Sequence, residues 1–247
     1  MAHGGANKSV SAKIIFISGT DTGVGKTLFT AMWLHHLRAR GIRALAMKPF
    51  CSGGRGDVKL LQSLQPGELF DEEMNPFYFK EPLAPLIAAR KEKRRITLKE
   101  VLEKIRNVQR KCDCLLIEGA GGLLAPLGNG FTLLNLITAL HTNAVIVARN
   151  HLGTINHTCL TLKALEASGN ISSSVVLMTG KTPDKSAKSN QKALSEILGS
   201  ERIFCAPYFG AGAKRLNQIR KNQTKTKKVL ALLANKYRLS SDLLKKK

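Results

Sequence analysis

The segment Gly19-Thr20-Asp21-Thr22-Gly23-Val24-Gly25-Lys26-Thr27 constrains this chain more than any other feature. It follows Lys13-Ile14-Ile15-Phe16-Ile17-Ser18, an apolar run that reads as a buried parallel strand. It precedes Leu28, Phe29, Met32, Trp33 and Leu37 at helical spacing, with Gly41 as a stop. Strand, glycine-rich loop and helix in that order make a phosphate cradle. Backbone N–H groups of the loop turn toward anionic oxygens, and the helix N-terminus adds the positive end of its dipole. Gly23, Val24 and Gly25 are expected to line the nucleotide, with Lys26 reaching the outer phosphates and the Thr27 hydroxyl able to ligate Mg²⁺. The usual G-x-x-x-x-G-K-S/T spacing asks for glycine at position 20; this chain has Thr20 there and its glycine one residue earlier, at Gly19. An accidental Gly-Lys-Thr in a glycine turn is the plainer alternative, and the flanking strand and helix argue against it.

The alternation continues. Arg43 to Met47 reads as a second strand, ending in the loop Lys48-Pro49-Phe50-Cys51-Ser52-Gly53-Gly54, whose proline and glycines exclude a helix. Ile96 to Arg110 is helical by periodicity, Cys114 to Ile117 is a strand entering Glu118-Gly119-Ala120-Gly121-Gly122, and Phe131 to Leu140 is a helix. Strands at Ala144 to Ala148 and Ser174 to Met178 flank a helix from Thr154 to Ala167, and a last strand runs from Arg202 to Ala206. The expectation is one α/β domain of the phosphate-loop NTPase kind, with a mostly parallel sheet flanked by helices and ligands at the carboxyl ends of its strands. Its bounds are set at residues 13–235, after a leader of residues 1–12 and before a basic tail of residues 236–247. Beyond Ala211 the pattern supports only a basic, weakly amphipathic helix.

Charge is the unusual part of the composition. The net charge is +22, and residues 179–247 hold 17 basic against 4 acidic residues, more than half of the excess. Such a field attracts anions but says little about fold. A solvated basic surface accounts for it more simply than nucleic-acid binding does, because the basic segment has few interleaved aromatic residues and no base-reading motif. No apolar run approaches membrane-spanning length and the first residues lack a secretory core, so a soluble cytoplasmic protein with no membrane partner is expected. The five cysteines show no paired C-x-x-C spacing and read as reduced thiols. His35 and His36 read as a partly exposed helix pair, and His157 is as readily structural as functional.

The loop resembles the G-T-D-T-x-V-G-K-T of the dethiobiotin synthetases, and further segments are similar to that family in the same order. These are Lys48-Pro49 with Ser52-Gly53, Asp57-Val58-Lys59-Leu60-Leu61, Asn75-Pro76 with Pro82 and Pro85, Glu118-Gly119-Ala120-Gly121-Gly122, and Leu152-Gly153-Thr154-Ile155-Asn156-His157. The resemblance covers residues 14–207. It implies a Mg²⁺-dependent ligase that uses ATP and CO2 to close a ureido ring on 7,8-diaminononanoate in biotin synthesis. It also implies catalytic roles for Lys26 and Lys48, and metal ligation by Thr27, Asp57 and Glu118, with Glu118 also among the nucleotide contacts. Thr22, Lys48, Ser52 and Gly121 become substrate contacts. Leu152 and Asn156 would reach the substrate of a partner across a homodimer interface.

Two departures touch specificity: Thr179 stands where the family carries an adenine-contacting Asn, and Ala84-Pro85-Leu86 replaces S-P-H. Pro207 is expected to flank the base. The rival class is a partitioning ATPase that binds nonspecific DNA, marked by K-G-G-x-G-K-T; the position of its first lysine is Asp21 here.

Overall fold

The structure is a computed structural model and describes residues 12–169 and 171–239. The leader up to residue 11 and the tail from residue 240 lie outside the described residues. Strand β1 (Lys13–Gly19) runs through the phosphate loop into α1 (Lys26–Ala39), then β2 (Ala44–Met47) and a short β3 (Phe50–Ser52). Next come α2 (Gly56–Ser63), α3 (Asp71–Met74), β4 (Phe77–Phe79), α4 (Pro85–Lys91), α5 (Leu98–Gln109) and β5 (Cys114–Glu118). A small hairpin, β6 (Pro126–Gly128) and β7 (Phe131–Thr132), leads to α6 (Leu133–Ala139), β8 (Asn143–Arg149), α7 (Thr154–Glu166) and β9 (Ser173–Met178). The described chain closes with α8 (Asn190–Leu198), β10 (Ile203–Ala206), α9 (Leu216–Lys225) and α10 (Lys227–Lys236).

Six strands form one sheet in the order β10-β9-β8-β1-β5-β2, parallel at every pairing. Helical crossovers impose that direction, and helices on both faces require strands apolar throughout. Ile15, Phe16 and Ile17 of β1 are accordingly wholly buried, as is all of Cys114 to Ile117 in β5. The chain leaves β1 toward one edge and later returns on its other side as β8. That reversal opens a crevice at the carboxyl end of β1, where the phosphate loop begins.

Register then sets the chemistry. Ile17 lies opposite Glu118 and Met47 opposite Ile117, so the residue following β2, Lys48, comes alongside the last residue of β5. Edge strand β2 is finished by a side chain: the Gln65 amide accepts from Ala46 N at 2.9 Å and donates to Ala46 O at 2.7 Å, pairing like another strand residue. Past β2 the backbone of Lys48 is fixed by Asn75, whose Nδ2 donates to Lys48 O at 2.8 Å, and by its own N–H to Met74 O at 3.0 Å. Phe50 and Phe77 stack with ring centroids 4.9 Å apart and close this corner.

Three local expectations need correction. The helix expected from Phe131 begins at Leu133, because Phe131 and Thr132 pair back on Pro126–Gly128 and Thr132 with Asn135 forms the N-terminal capping box. The segment past Ala211 is two helices packed on α1, not a weak one: Ile219, Leu230, Leu233, Ala234 and Tyr237 are buried. The Tyr237 ring centroid lies 6.1 Å from that of Trp33, and its hydroxyl donates to Ala144 O at 3.0 Å and is hydrogen-bonded to Ser174 Oγ at 2.9 Å. Their exposed faces carry the lysines and arginines that obscured the apolar stripe. His36, expected to be partly exposed, is buried beneath these helices; burial foremost, with Arg40 and Lys227 nearby, pulls its imidazole down to about 4.

Candidate active site

The phosphate loop owes its shape to glycine. Gly25, at the N-cap of α1, has φ +106°, and a Cβ there would sit 3.2 Å from Met178 at the end of β9. Neither the conformation nor the space suits a side chain. Lys26 Nζ donates to Asp21 O at 2.7 Å and to Gly121 O at 2.8 Å, tying the loop to the glycine-rich turn after β5. Burial lowers its ammonium to about 8, against the opposing pull of Glu118.

Behind the loop stands a lysine–carboxylate cluster. Lys48 Nζ lies 2.6 Å from Glu118 Oε1 and 3.0 Å from Asp57 Oδ2, and Thr27 Oγ1 donates to the same Glu118 oxygen at 2.7 Å. Burial by itself would lower the Lys48 pKa, but Glu118 and Asp57 raise it above the ordinary lysine value, so it stays charged. Asp57, which burial alone would raise, is held well below the usual carboxylate range by Lys48 and Lys214. Glu118 is 1% exposed, and its Oε2 is buried with no hydrogen-bond partner among the described residues. A buried carboxylate with one oxygen accepting two hydrogen bonds and the other accepting none has room for a further donor or a cation. With Thr27 Oγ1 and Asp57 beside it, the donor set consists of hard oxygens only, which fits Mg²⁺.

These groups line a cleft of about 540 Å³. Thr22, Gly23, Gly25, Lys26, Thr27, Lys48, Ser52, Asp57, Glu118 and Gly121 all face it, so most of the expected site residues converge. Ser52 Oγ is buried there with no hydrogen-bond partner among the described residues. Val24 is buried beneath the loop, packed toward Gly19. Thr179 lies at the end of β9, its N–H bonded to Ala206 O at 3.1 Å, and Pro207 follows exposed after β10; the two strand ends adjoin. Leu152 and Asn156 stand apart on the surface at the start of α7, with Leu152 77% exposed.

Sequence reasoning missed three residues here. Asn75 fixes the backbone that carries Lys48, and was read only as part of a proline segment. Lys214 bonds Asp57 Oδ1 at 2.7 Å, but nothing singled it out among the basic residues of the C-terminal third. Arg149, at the end of β8, donates to Gly23 O at 3.4 Å; its place one strand over from the phosphate loop was the available signal.

Fold and site together define a phosphate-loop nucleotide-binding protein. Residues 13–211 match the family model described as an AAA domain. Over 202 residues the chain is 37% identical to the ATP-dependent dethiobiotin synthetase of Bacillus subtilis subsp. natto, covering 78% of this chain and 86% of that protein. The ATP-dependent dethiobiotin synthetase of Methanocaldococcus jannaschii is 41% identical over 160 residues, covering 63% and 75%. The chain belongs to the dethiobiotin synthetase family. Among solved structures, a putative plasmid partition protein from Borrelia burgdorferi bound to AMPPNP superposes with TM-score 0.58 at 13% identity, over 92% of this chain and 100% of that one. At that identity the likeness shows the fold alone.

Proposed function

We propose that this chain is a dethiobiotin synthetase acting on 7,8-diaminononanoate, CO2 and ATP, and that the buried junction of Lys48 with Glu118 and Asp57 carries the reaction. One amine of the substrate attacks CO2. The resulting carbamate takes the γ-phosphoryl group of ATP as a mixed anhydride, and the second amine attacks its carbon, closing the ring and releasing phosphate. Negative charge is greatest where carbamate and γ-phosphate meet, and phosphoryl transfer is catalysed chiefly by positioning and electrostatics. Lys26 and Lys48 enter that point from two strand ends and neutralise it. Thr27, Asp57 and Glu118 would hold Mg²⁺, which shields the phosphate oxygens when bound. Thr22, Ser52 and the Gly121 backbone bind the diamine and its carbamate.

Thr179 and Pro207 flank the base, with the threonine hydroxyl in place of the family's amide. ATP is the expected substrate, and competition by CTP and GTP measures how far that replacement loosens base choice. Leu152, with Leu160 also exposed on α7, supports a homodimer in which Leu152 and Asn156 meet the partner's substrate. A cytoplasmic location agrees with the absence, among the described residues, of any helix long and apolar enough to cross a membrane.

The test is to incubate the purified protein with diaminononanoate, bicarbonate, Mg²⁺ and ATP and detect dethiobiotin by mass. ATP turnover without dethiobiotin would overturn the reading.

A further inference from the structure

We propose that Lys214 belongs to the metal–nucleotide site: it holds Asp57 until a divalent cation arrives, then turns to the phosphates. This rests on the reading that Asp57 ligates Mg²⁺. Both oxygens of that carboxylate are engaged by ammonium groups, Oδ2 by Lys48 at 3.0 Å and Oδ1 by Lys214 at 2.7 Å. A cation that coordinates Asp57 competes with both ammonium groups for the charge of the carboxylate. The Lys48 side chain is 10% exposed and bonded to Glu118 as well, whereas that of Lys214 is 57% exposed with Asp57 as its carboxylate partner. Lys214 is the less firmly held of the two, and we assign the yielding role to it.

It does not go far. Lys214 lines the same cleft as Lys26 and Lys48, on a segment between β10 and α9 that reaches across the site from 157 residues away in sequence. Gly210 and Gly212 before it have φ +84° and +72°, and the space around Gly210 is open. The anchored start of α9 follows, with Ile219 and Asn222 buried. An ammonium released there faces the place where triphosphate charge gathers. Lys214 then acts with opposite sign on two ligands, competing with the metal alone and assisting the metal-bound nucleotide.

Mn²⁺ binding to the full-length protein without nucleotide, followed by electron paramagnetic resonance, reads the first effect. Lys214→Ala and Lys214→Gln are expected to bind Mn²⁺ about two- to fivefold tighter, the loss of one partly exposed ion pair. ATP affinity at saturating Mg²⁺ is expected to weaken about as much in both variants. Arg215→Ala removes the same charge one residue on and is expected to change neither. Unchanged Mn²⁺ affinity in the Lys214 variants, or an equal gain in Arg215→Ala, would overturn the proposal; unchanged ATP affinity would overturn the turn to the phosphates. Asp57→Asn separates the two readings: if it keeps wild-type Mn²⁺ binding, the metal site itself is wrongly placed.

Discussion

Lys48 and Glu118 meet at 2.6 Å because parallel register brings the end of β2 beside the end of β5, and the contact is closed to solvent on the carboxylate side. Two buried charges at such a distance offset each other's desolvation only while both are present.

Lys48→Ala therefore affects fold and reaction together. Leaving Glu118 buried without its ammonium costs about 3–5 kcal/mol, read as a lower melting temperature. Removing a cation aimed at developing phosphoryl charge lowers kcat by about a hundredfold or more. Lys48→Arg is expected to restore stability better than rate, since a planar guanidinium does not reproduce a point charge. Wild-type turnover in Lys48→Ala would remove that lysine from the mechanism.

Lys26 predicts a pH dependence for nucleotide binding. In the free protein its ammonium titrates at about 8, and bound phosphates favour the charged form. Binding thus takes up a proton above that pH, and Kd rises by up to about tenfold per pH unit as pH climbs through 8. Below pH 7 this group contributes no slope. Calorimetric titrations with ATP between pH 7 and 9.5 check it, with Lys26→Arg expected to flatten the profile.

Gly25→Ala tests the loop's backbone. At φ +106° a side chain is strained by about 1–2 kcal/mol, and the new methyl presses on Met178. The loop shifts, and ATP affinity falls at least about tenfold while the far side of the domain keeps its fold.

Tyr237→Phe isolates the contribution of the C-terminal helices. The hydroxyl bonds Ala144 O and Ser174 Oγ inside the core, so losing it costs about 1–3 kcal/mol in denaturant unfolding and leaves kcat unchanged. A silent substitution would mean that the ring alone carries the contact.

The parts of this molecule written as local pattern were legible in the sequence. Each strand of the six-stranded sheet was placed to within a residue, because buried parallel strands are continuous apolar runs ended by glycine, proline or polar residues. Lys26, Thr27, Lys48, Asp57 and Glu118 were nameable through their strand-end positions and the family motifs. What escaped depended on contacts distant in sequence. The α9–α10 stripe is diluted by lysine and arginine, so its apolar periodicity shows only once Trp33 is seen beneath it. Lys214 is one lysine among many until the fold sets it against Asp57. The short β3–β4 pair is too brief for periodicity and is held by Phe50 stacking on Phe77.

The central claim, that the cleft phosphorylates a carbamate, is tested most directly by the fate of CO2 oxygen. In a single turnover begun with freshly mixed bicarbonate labelled with oxygen-18, a carbamate oxygen attacks the γ-phosphorus and departs with phosphate when the second amine closes the ring. The prediction is that inorganic phosphate carries the label, visible as an isotope shift in its phosphorus resonance, in step with dethiobiotin formed. Unlabelled phosphate would mean that water, not carbamate, accepts the phosphoryl group, and would contradict the account.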